Sequence, residues 1–249
     1  MHELPGNKSM SESRSALAGH AVILTLALAL TILLAACSMG PQFNSEVEHT
    51  SLTLKPNDLE LHGIGFLTPA AATGQETDKQ SLSLMFAGEL ATVRPGVRVA
   101  ALPEVLSAVN ESGLAKEYKQ MYRDYLETGI LEQKVLQDIG NASGVRYLAQ
   151  LSLAGFDQGG NKRFGFLGLR LVDTQKANMR VFMQIWDSET GRVAWEGAEE
   201  VNYAFDSSSE MPVTFKTIAE MTAREMFAVL PGADPELILA SDDEYEQLN

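Results

Sequence analysis

Between Ala21 and Ala36 the chain reads AVILTLALALTILLAA, sixteen residues without a charge, and it runs into Cys37, the only cysteine of 249 residues. This run divides the sequence into parts that obey different rules. A helix that crosses a bilayer needs about 20 apolar residues, whereas the apolar centre of a secretory signal is about 7–15 long and closes on small residues. Leu34-Ala35-Ala36 provides that close, so residues 1–36 read as a signal peptide and only the chain from Cys37 onward is left to fold. Those two hundred or so residues suit one domain with a core of its own.

Leu34-Ala35-Ala36-Cys37 resembles the lipobox of bacterial lipoproteins at all four positions. The resemblance implies that diacylglycerol joins the Cys37 thiol, that cleavage falls before it, and that acyl chains such as palmitate hold the mature protein on a membrane. At about 0.8 kcal/mol per buried CH₂, two or three chains anchor stably where one is marginal. The plain alternative is an uncleaved anchor beside an incidental cysteine. In lipoprotein families a residue other than Asp after the cysteine usually marks the outer membrane, and Ser38 stands there; a start at Met10 gives a more ordinary signal length.

The first 36 residues balance Lys8 and Arg14 against Glu3 and Glu12, so the net charge of −14 belongs wholly to the remainder. An acidic domain lacks the basic footprint that nucleic acid requires, and anionic headgroups repel it unless lipid holds it there. With 45% hydrophobic and 21% charged residues the composition is that of a packed globular domain. A single cysteine excludes an internal disulfide framework and a multi-cysteine metal site.

Residues 37–57 carry no clear period and read as the lipidated cysteine and a flexible tether. The domain is expected over 58–232 and an acidic, solvated tail over 233–249, where Asp234 to Glu246 holds six acids and no base. Within the domain, Leu59–Leu67 reads as a strand. Thr77-Asp78-Lys79-Gln80 has capping-box spacing before the helical stripe Leu82, Met85, Phe86, Leu90 and Val93, and Val97–Leu102 reads as a second strand. Leu114, Tyr118, Met121, Tyr122, Tyr125 and Leu126 line one helical face, more simply a core stripe than a ligand site. Leu131, Val135 and Ile139 line another, with Gly140 and Gly144 closing it.

The clearest alternation is Met179, Val181, Met183 and Ile185 against Asn178, Arg180, Phe182, Gln184 and Trp186, after an alternating strand from Val145 and a further one suggested by Leu167, Leu169 and Leu171. Ser188-Glu189-Thr190-Gly191 then reads as a type I turn with Gly191 left-handed and a bulge. That pairs Ile185 with Trp195 and sends Trp186 to the other face. A last helix carries Phe215, Ile218, Thr222, Met226 and Leu230 before Pro231-Gly232. The fold class is α/β (α+β): a mixed sheet of about five to six strands with a C-terminal β-hairpin, packed by three to four helices.

Leu136-Gln137-Asp138-Ile139-Gly140 leading through Gly144-Val145-Arg146-Tyr147-Leu148, then Ile185-Trp186-Asp187, Thr190-Gly191 and Val193-Ala194-Trp195-Glu196, resemble a periplasmic α/β family. It includes the amino-terminal domain of the Tol–Pal propeller protein, the curli secretion channel lipoprotein and a lipoprotein activator of peptidoglycan synthases. The likeness speaks to fold more than function. Here the only spare length for a pore hairpin is the glycine-rich, basic Asp157–Phe166, and the tether is short for crossing the wall.

Chemistry is sparse. Of four histidines only His62 falls in the expected domain, as a strand residue, so neither a zinc site nor a Ser-His-Asp triad is expected, and no cofactor. Gly159-Gly160-Asn161-Lys162-Arg163 has the composition of a phosphate cradle but opens no helix, and reads instead as an exposed hairpin loop. Asp187, Glu189 and Glu196 are the acids for a third reading, a carboxylate-dependent hydrolase. The favoured expectation is a non-enzymatic binding or scaffold module of the cell envelope. Its partners are the membrane, through lipid on Cys37, and an envelope protein or the cell wall, touched by a sheet edge or by Lys162, Arg163 and Phe164. The alternative is a subunit of an envelope transport or secretion assembly, with a homo-oligomer left open.

Overall fold

The computed structural model describes residues 42–71, 76–166, 169–207 and 214–240. In chain order these form β1 (Gln42–Ser51), α1 (Asp58–His62), β2 (Ile64–Phe66), β3 (Ala70–Ala71), α2 (Glu76–Val93), β4 (Val99–Ala100) and α3 (Leu102–Glu111). Next come α4 (Ala115–Thr128), α5 (Gln133–Ser143), β5 (Tyr147–Phe166), β6 (Leu169–Asp187), β7 (Arg192–Ser207), α6 (Phe215–Ala228) and α7 (Pro235–Ala240). Among the described residues the sheet has seven strands in the order β1-β7-β6-β5-β2-β4, with β3 also beside β5. It is mixed, as expected: β2, β3, β4 and the start of β5 run parallel, and β5, β6, β7 and β1 run antiparallel.

The parallel part arises from the capping-box helix. α2 carries the chain from β2 to β4 over one face of the sheet, and burial of Leu82, Phe86 and Leu90 holds it there. Phe86 meets Phe227 of α6 edge to face at 5.7 Å, which joins the two helices of this layer. A buried pair between Glu89 and Arg224 crosses the same seam. Helices α3, α4 and α5 cover the other face around Val105, Met121, Leu136 and Ile139. The tyrosine stripe is core with anchored hydroxyls: Tyr118 donates to the Thr68 hydroxyl at 2.8 Å and accepts from its amide, and Tyr122 donates to the Pro69 carbonyl at 2.9 Å.

The hairpin register is the expected one. Ile185 pairs with Trp195, a bulge comes next, and Gly191 sits at φ 68°, where a Cβ would lie 2.6 Å from Gln133. Trp195 is fully buried with Met183 and Val181 under α2 and α6, while Trp186 lies in the opposite core with Leu136 and Ile139.

Five expectations are corrected. Leu59–Leu67 is not one strand: Asn57 and Gly63, both at φ 68°, bracket the helix α1 before β2 begins. Helical spacing puts Leu59 inside and leaves Leu61 73% exposed, so an alternation read as β is one short turn of amphipathic helix. His62 consequently ends a helix, exposed, with its ring 6.4 Å from that of Tyr147. The tether expected over 37–57 contains β1, because its backbone completes the ladder of β7, and His49 stacks at 6.2 Å on Trp195. The solvated tail from 233 contains α7, because Ile238 is buried beside α6. Within the tyrosine helix, Leu126 is 54% exposed, since the buried stripe is Tyr118, Met121 and Tyr125.

Candidate functional site

Cys37 lies outside the described residues. Lys162, Arg163 and Phe164 are brought not to a hairpin tip but into β5. Their backbone ladder continues to Phe166 against Leu169, with shifts between Lys162 and Phe164 and between Phe164 and Gly165. The physical cause lies in the backbone: a second long strand opposite satisfies the amides of this glycine-rich stretch, and bulges absorb its irregularity.

The three carboxylates weighed for hydrolysis do not converge. Arg146 bonds both oxygens of Asp187, at 3.0 and 2.8 Å, and reaches Glu189 at 3.0 Å. Burial works against the charge on Asp187, yet the bonded Arg146 guanidinium, the Glu189 amide and the Thr190 hydroxyl hold its pKa below the ordinary carboxylate range. Glu196 instead accepts from Gln184 at 3.3 Å. Asp187 and Glu189 thus brace the start of β5 against the β6–β7 turn.

The antiparallel end of the sheet holds a different arrangement. Ala177, Met179, Val181, Met183 and Ile185 of β6 are buried under the α2–α6 layer, so Lys176, Asn178, Arg180, Phe182 and Gln184 point to the other face. Near Gln184 that face is covered, with the Tyr125 hydroxyl 3.5 Å away; nearer Lys176 it is open, and Lys176 and Arg180 are exposed. Pairing aligns Asp157 with Asn178, Asn178 with Asn202 and Asn202 with Asn44. One straight row of three carboxamides and a carboxylate therefore crosses β5, β6, β7 and β1.

The row floors a concavity of about 490 Å³. Asn178 donates to Asn202 at 2.8 Å and to Glu200 at 3.4 Å, and Arg180 bonds Glu200 at 3.1 and 2.6 Å. Arg180 above all, helped by Asn178 and Asn202, lowers the Glu200 pKa. Asn178 and Asn202 are held in orientation by this network. The sequence displayed half of it, since the polar side of β6 is plain from alternation. Asn44 sat in the apparent tether and Asp157 in the apparent loop, and only the register joins them.

Two further features belong to this end. Beyond Leu153, β5 has β6 as its one partner among the described residues, and β1 has only β7. Among the described residues the four-stranded antiparallel ribbon thus has no further strand beside β1 or beside the outer half of β5. On the covered face, Glu199 of β7 is 1% exposed and neither of its oxygens has a hydrogen-bond partner among the described residues. Burial, reinforced by the charge of Glu225, pushes its pKa up to about 9, so it stands protonated at neutral pH. Alternation with Trp195, Gly197 and Val201 was the signal for its inward position.

No family model matches the sequence, and no curated protein does. Among solved structures, the chain is similar to the PelC dodecamer from Paraburkholderia phytofirmans at 13% identity and TM-score 0.43, over 77% of this chain and 100% of that one. A variant of that dodecamer gives 12% and 0.42 over the same shares. The lipoprotein GNA1162 from Neisseria meningitidis gives 11% and 0.37, over 66% of this chain and 94% of that one.

Proposed function

We propose that the chain is a lipoprotein of the bacterial envelope, anchored through Cys37 and sorted by Ser38 to the outer membrane, whose domain is a non-enzymatic binding module. The observation that supports the reading is the antiparallel end of the sheet: among the described residues β1 and the outer half of β5 each have one neighbouring strand, an arrangement to which a further strand can be added. The anchor rests on the lipobox-like Leu34–Cys37 run. Such a module needs no reactive side chain, and the acids closest to an acid/base pair are occupied in bracing Arg146.

A second reading, a subunit of an envelope transport or secretion assembly, is favoured by one fact. The two outer strands of the ribbon, β1 and β5, lie on opposite sides of it, so copies can join head to tail, a contact that closes into a ring when the rotation permits. Photo-crosslinking residues introduced singly at Glu46 in β1 and Gln158 in β5, in intact cells, test both. Adducts to another envelope protein support the module, and adducts between copies support the assembly. Adducts confined to a control position on α4, such as Lys119, would defeat the edge reading.

A further inference from the structure

We propose that the row Asp157–Asn178–Asn202–Asn44 is a binding site for an uncharged, polyhydroxylated chain, an oligosaccharide strand lying across the four strands. The inference rests on the reading of the domain as a binding module, but not on its edges.

An open sheet face is ordinarily polar, and Asn and Asp are depleted from strands because they compete for the backbone and pack poorly on a pleated surface. A solvated face has no need of them. Here one falls at the same register position in each of four neighbouring strands, all directed to the open face. Strands lie about 4.8 Å apart, so the row presents a polar group at each step over roughly 14 Å.

Its surroundings shape a trough. On one side Gly159 and Ala204 flank Lys176 in the next row, and a Cβ on Gly159 would meet only open space. On the other, Arg180 and Glu200 form a wall whose charges cancel. The lining holds one carboxylate, Asp157, and one lysine, Lys176, which disfavours a strongly charged ligand, and it includes Tyr203 beside the carboxamides. A carboxamide offers a donor and an acceptor side by side, and a sugar hydroxyl is both donor and acceptor, so the two match along a repeating chain. With Asn178 already bonded to Asn202 and Glu200, little side-chain freedom is lost on binding.

The test uses the full mature lipoprotein in detergent micelles, titrated calorimetrically with chitohexaose and, separately, with cellohexaose, which differ in carrying acetamido groups. Binding of either, weakened at least tenfold in the double variant Asn44→Ala/Asn202→Ala and unchanged in Lys119→Ser, is expected. An unchanged melting temperature in the double variant separates lost contacts from lost fold, and Asn202→Gln, which keeps the amide, is expected to retain part of the affinity. Failure of both sugars, or binding indifferent to the double variant, overturns the proposal. If edge adducts at Glu46 and Gln158 persist while neither sugar binds, the binding-module reading stands and this inference alone falls.

Discussion

Ile185 stands opposite Trp195 across the β6–β7 ladder, and the next residue, Trp186, pairs with Val193 rather than with Ala194. The extra residue turns the two tryptophans into two separate cores. Trp195, the largest fully buried side chain, fits only because Gly197 two residues on leaves room for it: a Cβ there would lie 2.4 Å from its ring. Gly197→Ala should therefore destabilise the domain by about 1–3 kcal/mol through overpacking. Trp195→Ala should cost about 3–5 kcal/mol through the cavity it leaves. Urea midpoints of both against Gly88→Ala, where a Cβ meets nothing, check this; equal midpoints for Gly197→Ala and the parent would reject the packing.

How far this was readable depends on whether the signal was local. The hairpin was, because turn chemistry at Ser188–Gly191 fixes pairing through a bulge and the alternation of β6 is uninterrupted. α1 was not, because Leu59 and Leu61 satisfy the β period and helix formation there depends on Asn57 and Gly63 adopting positive φ. β1 was not, because an edge strand with Glu46 and Glu48 exposed has no hydrophobic period and takes its order from β7. The carboxamide row combines both cases: Asn178 was visible, and its neighbours needed a register that no single segment encodes.

Glu199 gives the stability a definite pH dependence. In the unfolded chain it titrates near the ordinary value of about 4.3, and in the folded domain only at about 9. Between those values the native state binds the extra proton, so this group makes stability fall as pH rises from about 5 to about 9. Glu199→Gln keeps the shape and cannot ionise. Its urea midpoint should exceed that of the parent by a margin that widens from pH 5 to pH 9, and parallel curves would show that Glu199 is not held protonated.

Asp187 behaves oppositely. Its folded pKa is depressed by Arg146, so its contribution is present above the unfolded value and disappears as pH falls through the folded one. Asp187→Asn should cost about 2 kcal/mol at pH 7, since it leaves the Arg146 guanidinium without its bidentate partner, and the deficit should vanish toward acid. A deficit that is the same at pH 3 and pH 7 would mean that packing, not charge, is what the substitution removes.

Cys37 tests the anchor independently of the domain. As the sole thiol, closing a lipobox-like run, it should carry the lipid; Cys37→Ser should leave a precursor that is uncleaved or released from the membrane fraction. Mass spectrometry of the mature amino terminus decides it, because an unmodified Cys37 in the membrane-bound protein removes the lipoprotein reading.

The contact expected of Lys162, Arg163 and Phe164 as a basic loop is now a question about β5. Glu46 and Glu48 are exposed on β1, and Lys162 and Arg163 fall within β5. If copies join head to tail, β1 with its two acids meets β5 with its two bases, and opposite charge speeds encounter and fixes register more than it adds affinity. Replacing Lys162, Arg163 and Phe164 by Ser should then abolish adducts between copies from Gln158. Lys162→Glu/Arg163→Glu should do the same and recover when Glu46→Lys/Glu48→Lys is introduced together with it. A partner other than a second copy would be lost with the serine variant and would not return with the double charge exchange. Adducts unchanged in every variant would take Lys162, Arg163 and Phe164 out of the interface.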